Sequence, residues 1–260
     1  MGAYRMPYSR HGLLPRMASE LQVSPAPRAP VYRVGRLPNP FAIPSWAYAR
    51  PDGTFDGRFD DPRGRRGLPE AQRFRVLYVA TESAAAFGET LAPLRPDLTL
   101  LSNAGAMPAG SRTGRPVIPA SWRLGRRLGA TTFGSSLPFV DLAAAETTQR
   151  IRADLAAIAL GLGLNDVDLS TVTGPQRIFT QEIARYVYDQ GQTTGAPRYA
   201  GLRYLSRLNP SWECWAIFSD RLSHNVVQVT TIPANHPGLY EAARILELAI
   251  EVSTRRYLYP

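Results

Sequence analysis

The stretch "FRVLYVATESAAAFGETL" (residues 74–91) decides the fold class. Its first half, "FRVLYVAT" (74–81), is aromatic and β-branched throughout and reads as a buried strand. Its second half, "ESAAAFGETL" (82–91), carries an alanine run and reads as a short helix, with Glu82 near the positive N-terminal end. A strand running straight into a helix calls for an α+β arrangement in which the helix packs back on a sheet.

The same logic extends outward on both sides. "VYRVGR" (31–36) predicts a short strand, "NPFAIP" turns away from it, and residues 50–70 form a Gly/Asp/Arg/Pro loop. Residues 1–29 are proline-rich with little periodicity and read as an arm. Residues 93–140 are irregular, with short strands expected at "DLTLLS" and "RPVIP" and an arginine cluster at 123–127. Helical spacing of Ile151, Leu155, Ile158 and Leu162 predicts a helix over 143–160. "PQRIFTQEIARYVYDQG" (175–191) predicts another, opened by proline and closed by Gly191. Strands follow at 201–207, 214–220 and 226–232, then an amphipathic helix at 238–257. These elements read as one α+β domain over residues 30–260, with central mixed or antiparallel sheets flanked by helices.

Composition narrows the chemistry. The 260 residues are 44% hydrophobic, enough for a real core, and carry a formal charge of +9. Every basic residue is arginine. The absence of lysine removes Walker loops, Schiff-base enzymes and kinases, while arginine favours forked contacts to phosphate or carboxylate. The lone Cys214 rules out an internal disulfide framework. No apolar run approaches the length of a membrane span, and the start lacks the apolar centre of a secretory signal, so a cytoplasmic address is expected.

Several motifs fail on inspection. In "FDGRFDDPRG" (55–64) the acids fall four apart and Arg58 would stand inside a calcium shell. "GLGLND" (161–166) has Asp166 in place of the third dinucleotide glycine, behind a helix and not a strand. His11, His224 and His236 are scattered, so no metal is expected. The arginines are spread along the chain with no helix-turn-helix, zinc finger or RNP-like strand, which disfavours direct nucleic-acid binding.

Five remaining stretches, in order, resemble the RES domain family, named for an arginine, a glutamate and a serine. They are "VYRVGR" with Tyr32 and Arg33, "GRFDDP" with Arg58, "VLYVATESAAAFGET" with Glu89, "FTQEIARYVYDQG", and "GLRYLSR" with Tyr204 and Ser206 followed by "CWAIF". The likeness spans about residues 31–220. Glu82 competes with Glu89, seven residues away on the same helical face, and the family pattern favours Glu89.

The resemblance implies an ADP-ribosyltransferase-like fold and a bacterial toxin that destroys NAD. It takes NAD as substrate, needs no metal, and makes Glu89, Arg33 and Ser206 the catalytic set. Arg33 and Arg58 would grip the pyrophosphate, and Tyr78 or Tyr48 would stack on a ring, with Tyr32 and Tyr204 as further NAD contacts. Glu89 would stabilise the ribosyl cation or hold a ribose hydroxyl, and Ser206 would bond ribose or phosphate. The acceptor stays open between water, phosphate and a protein side chain. The implied partners are an antitoxin with a DNA-binding domain and a second copy of the chain. Rival readings are a mono-ADP-ribosyltransferase, a non-catalytic nucleotide- or partner-binding RES-like domain, and a basic nucleic-acid binder.

Overall fold

Alternation along the strands sorts side chains to two faces of one long sheet, and that sheet carries everything else. The computed structural model describes residues 20–99, 102, 115–134, 137–191, 195–221 and 223–252. Its strands are β1 (Val23–Ser24), β2 (Val31–Arg36), β3 (Val76–Ala80), β4 (Val117–Ile118), β5 (Arg126–Gly134), β6 (Phe139–Asp141), β7 (Gly201–Leu205), β8 (Glu213–Phe218), β9 (Ser223–Thr230) and β10 (Ala249–Ile250). Eight form a sheet in the order β1-β6-β7-β8-β3-β2-β5-β9, and β10 pairs with β4 separately. Within the large sheet only β6–β7 is parallel among the described pairings. The result is a curled, mixed α+β architecture.

Period-two patterning explains the two cores. Along β3, Val76 and Ala80 enter the large core while Leu77 and Val79 enter a smaller one; β8 repeats this with Cys214, Ala216 and Phe218 against Trp215 and Ile217. The large core lies under the helices. Helix α1 (Ser83–Leu91) buries Ala84, Ala85, Ala86, Phe87, Gly88 and Leu91, so its alanine run is a packing face as well as a helix-forming one. The smaller core is closed by Phe41 and Ile43 from the segment that turns away after β2.

The remaining helices are α2 (Ala120–Leu124), α3 (Ala145–Asp154), α4 (Ala156–Gly161), α5 (Leu169–Thr173), α6 (Arg177–Asp189) and α7 (Pro237–Ile245). Helix α6 turns an unusual polar set inward: Thr180, Gln181 and Glu182 are buried. They meet the 55–66 segment, where Gln181 Nε2 donates to the Gly57 carbonyl (2.9 Å) and Thr180 Oγ1 to the Arg58 carbonyl (2.6 Å). Arg65 reaches Gln181 Oε1 (2.8 Å), and Arg66 pairs with Glu182.

Three expectations need correction. The helix expected over 143–160 is two, because Leu155 leaves helical geometry (φ −107°, ψ 14°) between α3 and α4. The last helix stops at Ile245, and Glu247 turns left-handed (φ 58°) so that β10 can lie parallel to β4. Arg123 holds that turn-back, donating to the carbonyls of Ile232 (3.2 Å) and Glu251 (2.9 Å). Within "DLTLLS", Leu98 and Thr99 are helical and not extended. "RPVIP" does supply a strand, β4. Residues 1–19 of the expected arm, much of the irregular 93–140 segment and the end of the 238–257 helix lie outside the described residues. The described end of the arm is β1, paired with β6.

Candidate active site

The motifs of the sequence converge on one cavity of about 470 Å³, within the range of ligand sites. Its wall includes Tyr32 and Arg33 of β2, Gly57 and Arg58 of the loop, Tyr78 of β3, Glu89 of α1 and Tyr204 of β7. Asp56, Arg177 and Arg207 also line it.

The "GRFDDP" segment is shaped by its acids. Asp60, buried, accepts from the Gly57 amide (2.5 Å) and the Tyr78 hydroxyl (3.0 Å). Tyr78 in turn accepts from the Phe59 amide (2.8 Å). A Cβ at position 57 would lie 2.3 Å from Asp60 Oδ2 and 2.5 Å from the Tyr78 hydroxyl, so this loop requires glycine there. Asp61 caps the short 3-10 helix Pro62–Arg66, accepts from the Phe74 amide (2.9 Å) and pairs with Arg63 (2.6 Å). Burial pushes the Asp60 carboxyl up to about 6, against the lowering effect of its two hydrogen bonds. It also pushes the Tyr78 hydroxyl well above its ordinary value.

With the loop fixed, Arg58 points across to α5 and α6. Its guanidinium donates to the carbonyls of Thr173 (2.6 Å), Gly174 (2.9 Å) and Val172 (3.3 Å), the negative end of α5. Arg33 donates from Nε to the Pro40 carbonyl (2.7 Å) and from Nη1 to the Tyr78 carbonyl (2.9 Å). Burial lowers the pKa of both arginines, though a guanidinium stays protonated at any ordinary pH. Among the described residues neither forms a carboxylate ion pair, and nor does Arg207. The wall sets four arginines (33, 58, 177, 207) against two carboxylates (Asp56, Glu89), so it favours an anion.

Glu89 lines this wall, whereas Ser206, bonded to it, is buried and is not itself a lining residue. The Ser206 hydroxyl donates to Glu89 Oε1 (2.5 Å) and accepts from the Leu208 amide (3.1 Å), while the Ser206 amide donates to the Trp212 carbonyl (2.9 Å). Trp212 is fully buried, and a Cβ at position 88 would stand 2.1 Å from its ring. Gly88 thus lets the second turn of α1 approach the loop that bears Ser206. Glu82 is the N-cap of α1 in extended geometry, outside the cavity wall. The spacing argument therefore fails for Glu82: it precedes the helix and does not share the face of Glu89.

Tyr32, Tyr78 and Tyr204 reach the cavity, but the Tyr78 hydroxyl is committed to Asp60, and Tyr204 is buried edge-on against Phe59 (4.9 Å). Tyr48 does not reach it. It sits on a 3-10 helix (Trp46–Tyr48), 80% exposed, outside the wall. Arg177 and Arg207 were missed in the sequence because arginine is the chain's only basic residue and 30 of them offer no contrast. Arg177 stands on the first turn of α6, 3.9 Å from Asp56, and Arg207 follows Ser206 directly. Cys214 is buried in the large core, and burial pushes its thiol well above its ordinary value.

Among the described residues no helix is long and apolar enough to cross a membrane, and no three His, Cys, Asp or Glu side chains gather to hold a metal. Comparison with known protein families matches residues 30–236 to the family described as "RES domain". Comparison with curated proteins found no match. A chain in the crystal structure of the M. tuberculosis MbcT–MbcA toxin–antitoxin complex aligns at 13% identity with a TM-score of 0.47, covering 85% of this chain and 92% of that one.

Proposed function

The chain belongs to the RES domain family, and on that premise we propose that it consumes NAD by cleaving the bond between nicotinamide and ribose, as a glycohydrolase or phosphorylase and as the toxin of a toxin–antitoxin pair. The observation that carries the reading is Glu89, bonded by the buried Ser206, set in the same wall as Arg33 and Arg58.

The cavity's residues fit a dinucleotide with an anionic pyrophosphate. Arg33 and Arg58 are pre-ordered by carbonyl acceptors and hold their charge without an ion-pair partner among the described residues, so the pyrophosphate would meet fixed cations. In the reaction the C–N bond breaks with its electron pair going to the nicotinamide ring nitrogen, which neutralises that ring. The ribosyl centre left positive takes an oxygen from water or phosphate, and the nucleophile's proton leaves to solvent or buffer. Glu89 is the group to face the positive centre or a ribose hydroxyl, as carboxylates do in glycosidases. Ser206 orients it, held by the Leu208 amide on one side and by Trp212 through its own amide on the other. An antitoxin is the partner this role requires, covering the cavity to silence it.

Incubating the pure chain with NAD, with and without inorganic phosphate, tests the reading. Free nicotinamide with ADP-ribose marks a glycohydrolase, and ADP-ribose phosphate appearing only with phosphate marks a phosphorylase. Label from NAD retained on protein would replace both with a transferase, and recovery of intact NAD would remove the enzymatic reading.

A further inference from the structure

The arginine cluster at 123–127 takes no part in the cavity, and the fold gives it a setting the sequence did not show. Arg36, the last residue of β2, and Arg126, the first of β5, are direct cross-strand partners. Like charges placed opposite one another on a sheet repel and cost stability. The Arg126 guanidinium lies over the Trp122 ring (4.6 Å) and donates to the Trp122 carbonyl (3.2 Å), while Arg127 donates to the carbonyls of Arg126 (2.7 Å) and Leu124 (3.3 Å). The Leu37 amide donates to the Gly125 carbonyl (3.2 Å), which sets the backbone of exposed Leu37 (47%) beside the segment that carries exposed Leu124 (69%).

Among the described residues no carboxylate pairs with this surface. All 21 Asp and Glu side chains belong to described residues, and none forms an ion pair with Arg36, Arg126 or Arg127. We propose that this end of the β2–β5 ladder, with Arg36, Arg126 and Arg127 framing Leu37 and Leu124, docks an acidic segment of a partner protein. The charge calls for carboxylates, and the leucines decide between partner classes. Apolar side chains among guanidiniums match an amphipathic acidic segment, whereas a phosphate backbone would leave them without use. Stacking on Trp122 pre-orders Arg126, as suits an interface anchor. Arg36 lies three residues beyond Arg33, roughly 10 Å along the strand, so a seated segment lies beside the cavity without using its residues. The inference does not depend on NAD being the substrate.

The test measures fluorescence anisotropy of a short labelled peptide with Glu and Leu at helical spacing, bound to the full chain at low and physiological salt. A peptide with Gln for Glu and a DNA oligonucleotide of equal charge serve as comparisons. Arg36→Glu with Arg126→Glu should weaken the acidic peptide at least about tenfold. Arg28→Glu with Arg244→Glu, an equal charge change at exposed sites elsewhere, should weaken it less than about threefold. Should the double reversal not fold, Arg36→Gln with Arg126→Gln relieves the repulsion, keeps or raises the melting midpoint, and should still weaken the peptide. Equal losses from the patch and control pairs would reduce the effect to net charge and overturn the proposal. So would absence of binding, or tighter binding of the DNA with loss in the patch variants.

Discussion

Replacing Gly88 with alanine tests how the candidate site is built. On propensity alone the change should stabilise α1 by about 0.8–1 kcal/mol, since glycine is that much worse than alanine inside a helix. The structure argues for the opposite sign. The new Cβ would lie 2.1, 2.5 and 3.1 Å from three carbons of the Trp212 ring. Optimal carbon contacts are about 3.5–4.0 Å, so the overlap exceeds what a few tenths of an ångström of relaxation removes. Trp212 is fully buried and has nowhere to rotate. Overpacking of this kind costs about 1–3 kcal/mol, occasionally more, and after the helix gain the net loss is up to about 2 kcal/mol. For a chain of this size that is a fall in melting midpoint of about 2–4 °C per kcal/mol. Because Trp212 also accepts from the Ser206 amide, pushing it aside misplaces the Ser206–Glu89 pair. A misplacement of about 1 Å can cost on the order of 10²-fold in rate. Differential scanning calorimetry, with nicotinamide release measured well below the midpoint, reads both effects. A Gly88→Ala protein that melts higher than the wild type, with unchanged turnover, would refute the claim that Trp212 sets the approach of α1.

Three other perturbations separate the roles of individual groups. Asp60 has its carboxyl raised from 3.8 to about 6, so its contribution to stability is fully present below about 3.8 and is lost as pH rises through about 6. That shift corresponds to about 3 kcal/mol, and wild type minus Asp60→Asn stability, from urea titrations across pH 4–8, should fall by an amount of this order; a flat difference would contradict the buried setting. Arg58→Ala should raise KM for NAD about tenfold and lower stability by about 1–3 kcal/mol, since three carbonyls lose a charged donor. Tyr48→Ala should leave KM unchanged and stability within about 0.5 kcal/mol, and steady-state kinetics with thermal melts checks both.

How much of this was legible in the sequence depends on whether the determinant is local. Strand β2 and helix α6 were readable because alternation and 3.6-residue spacing are short-range patterns. The meeting of β2 with α1 around Arg33 and Glu89 came from the family likeness, since no periodicity encodes which strand lies beside which helix. The last helix was overextended because its apolar pattern runs past Ile245, while its stop comes from pairing with β4, more than a hundred residues away. The split at Leu155 likewise has no glycine or proline to announce it. The fit of the buried Trp212 against Gly88 is a matter of three-dimensional approach that no spacing encodes. Tyr48 read as a stacking residue on type alone, and the fold leaves it facing solvent.

In the proposed reaction Glu89, held by Ser206, acts on the nicotinamide–ribose bond. The most direct measurement is nicotinamide release from NAD by wild type and Glu89→Gln, with NAD affinity and melting midpoint measured on the same samples. The account predicts release by the wild type and a fall in kcat of at least about 10²-fold in Glu89→Gln, with NAD affinity and midpoint close to unchanged. Equal turnover by the two proteins, or intact NAD recovered from the wild type, would contradict it.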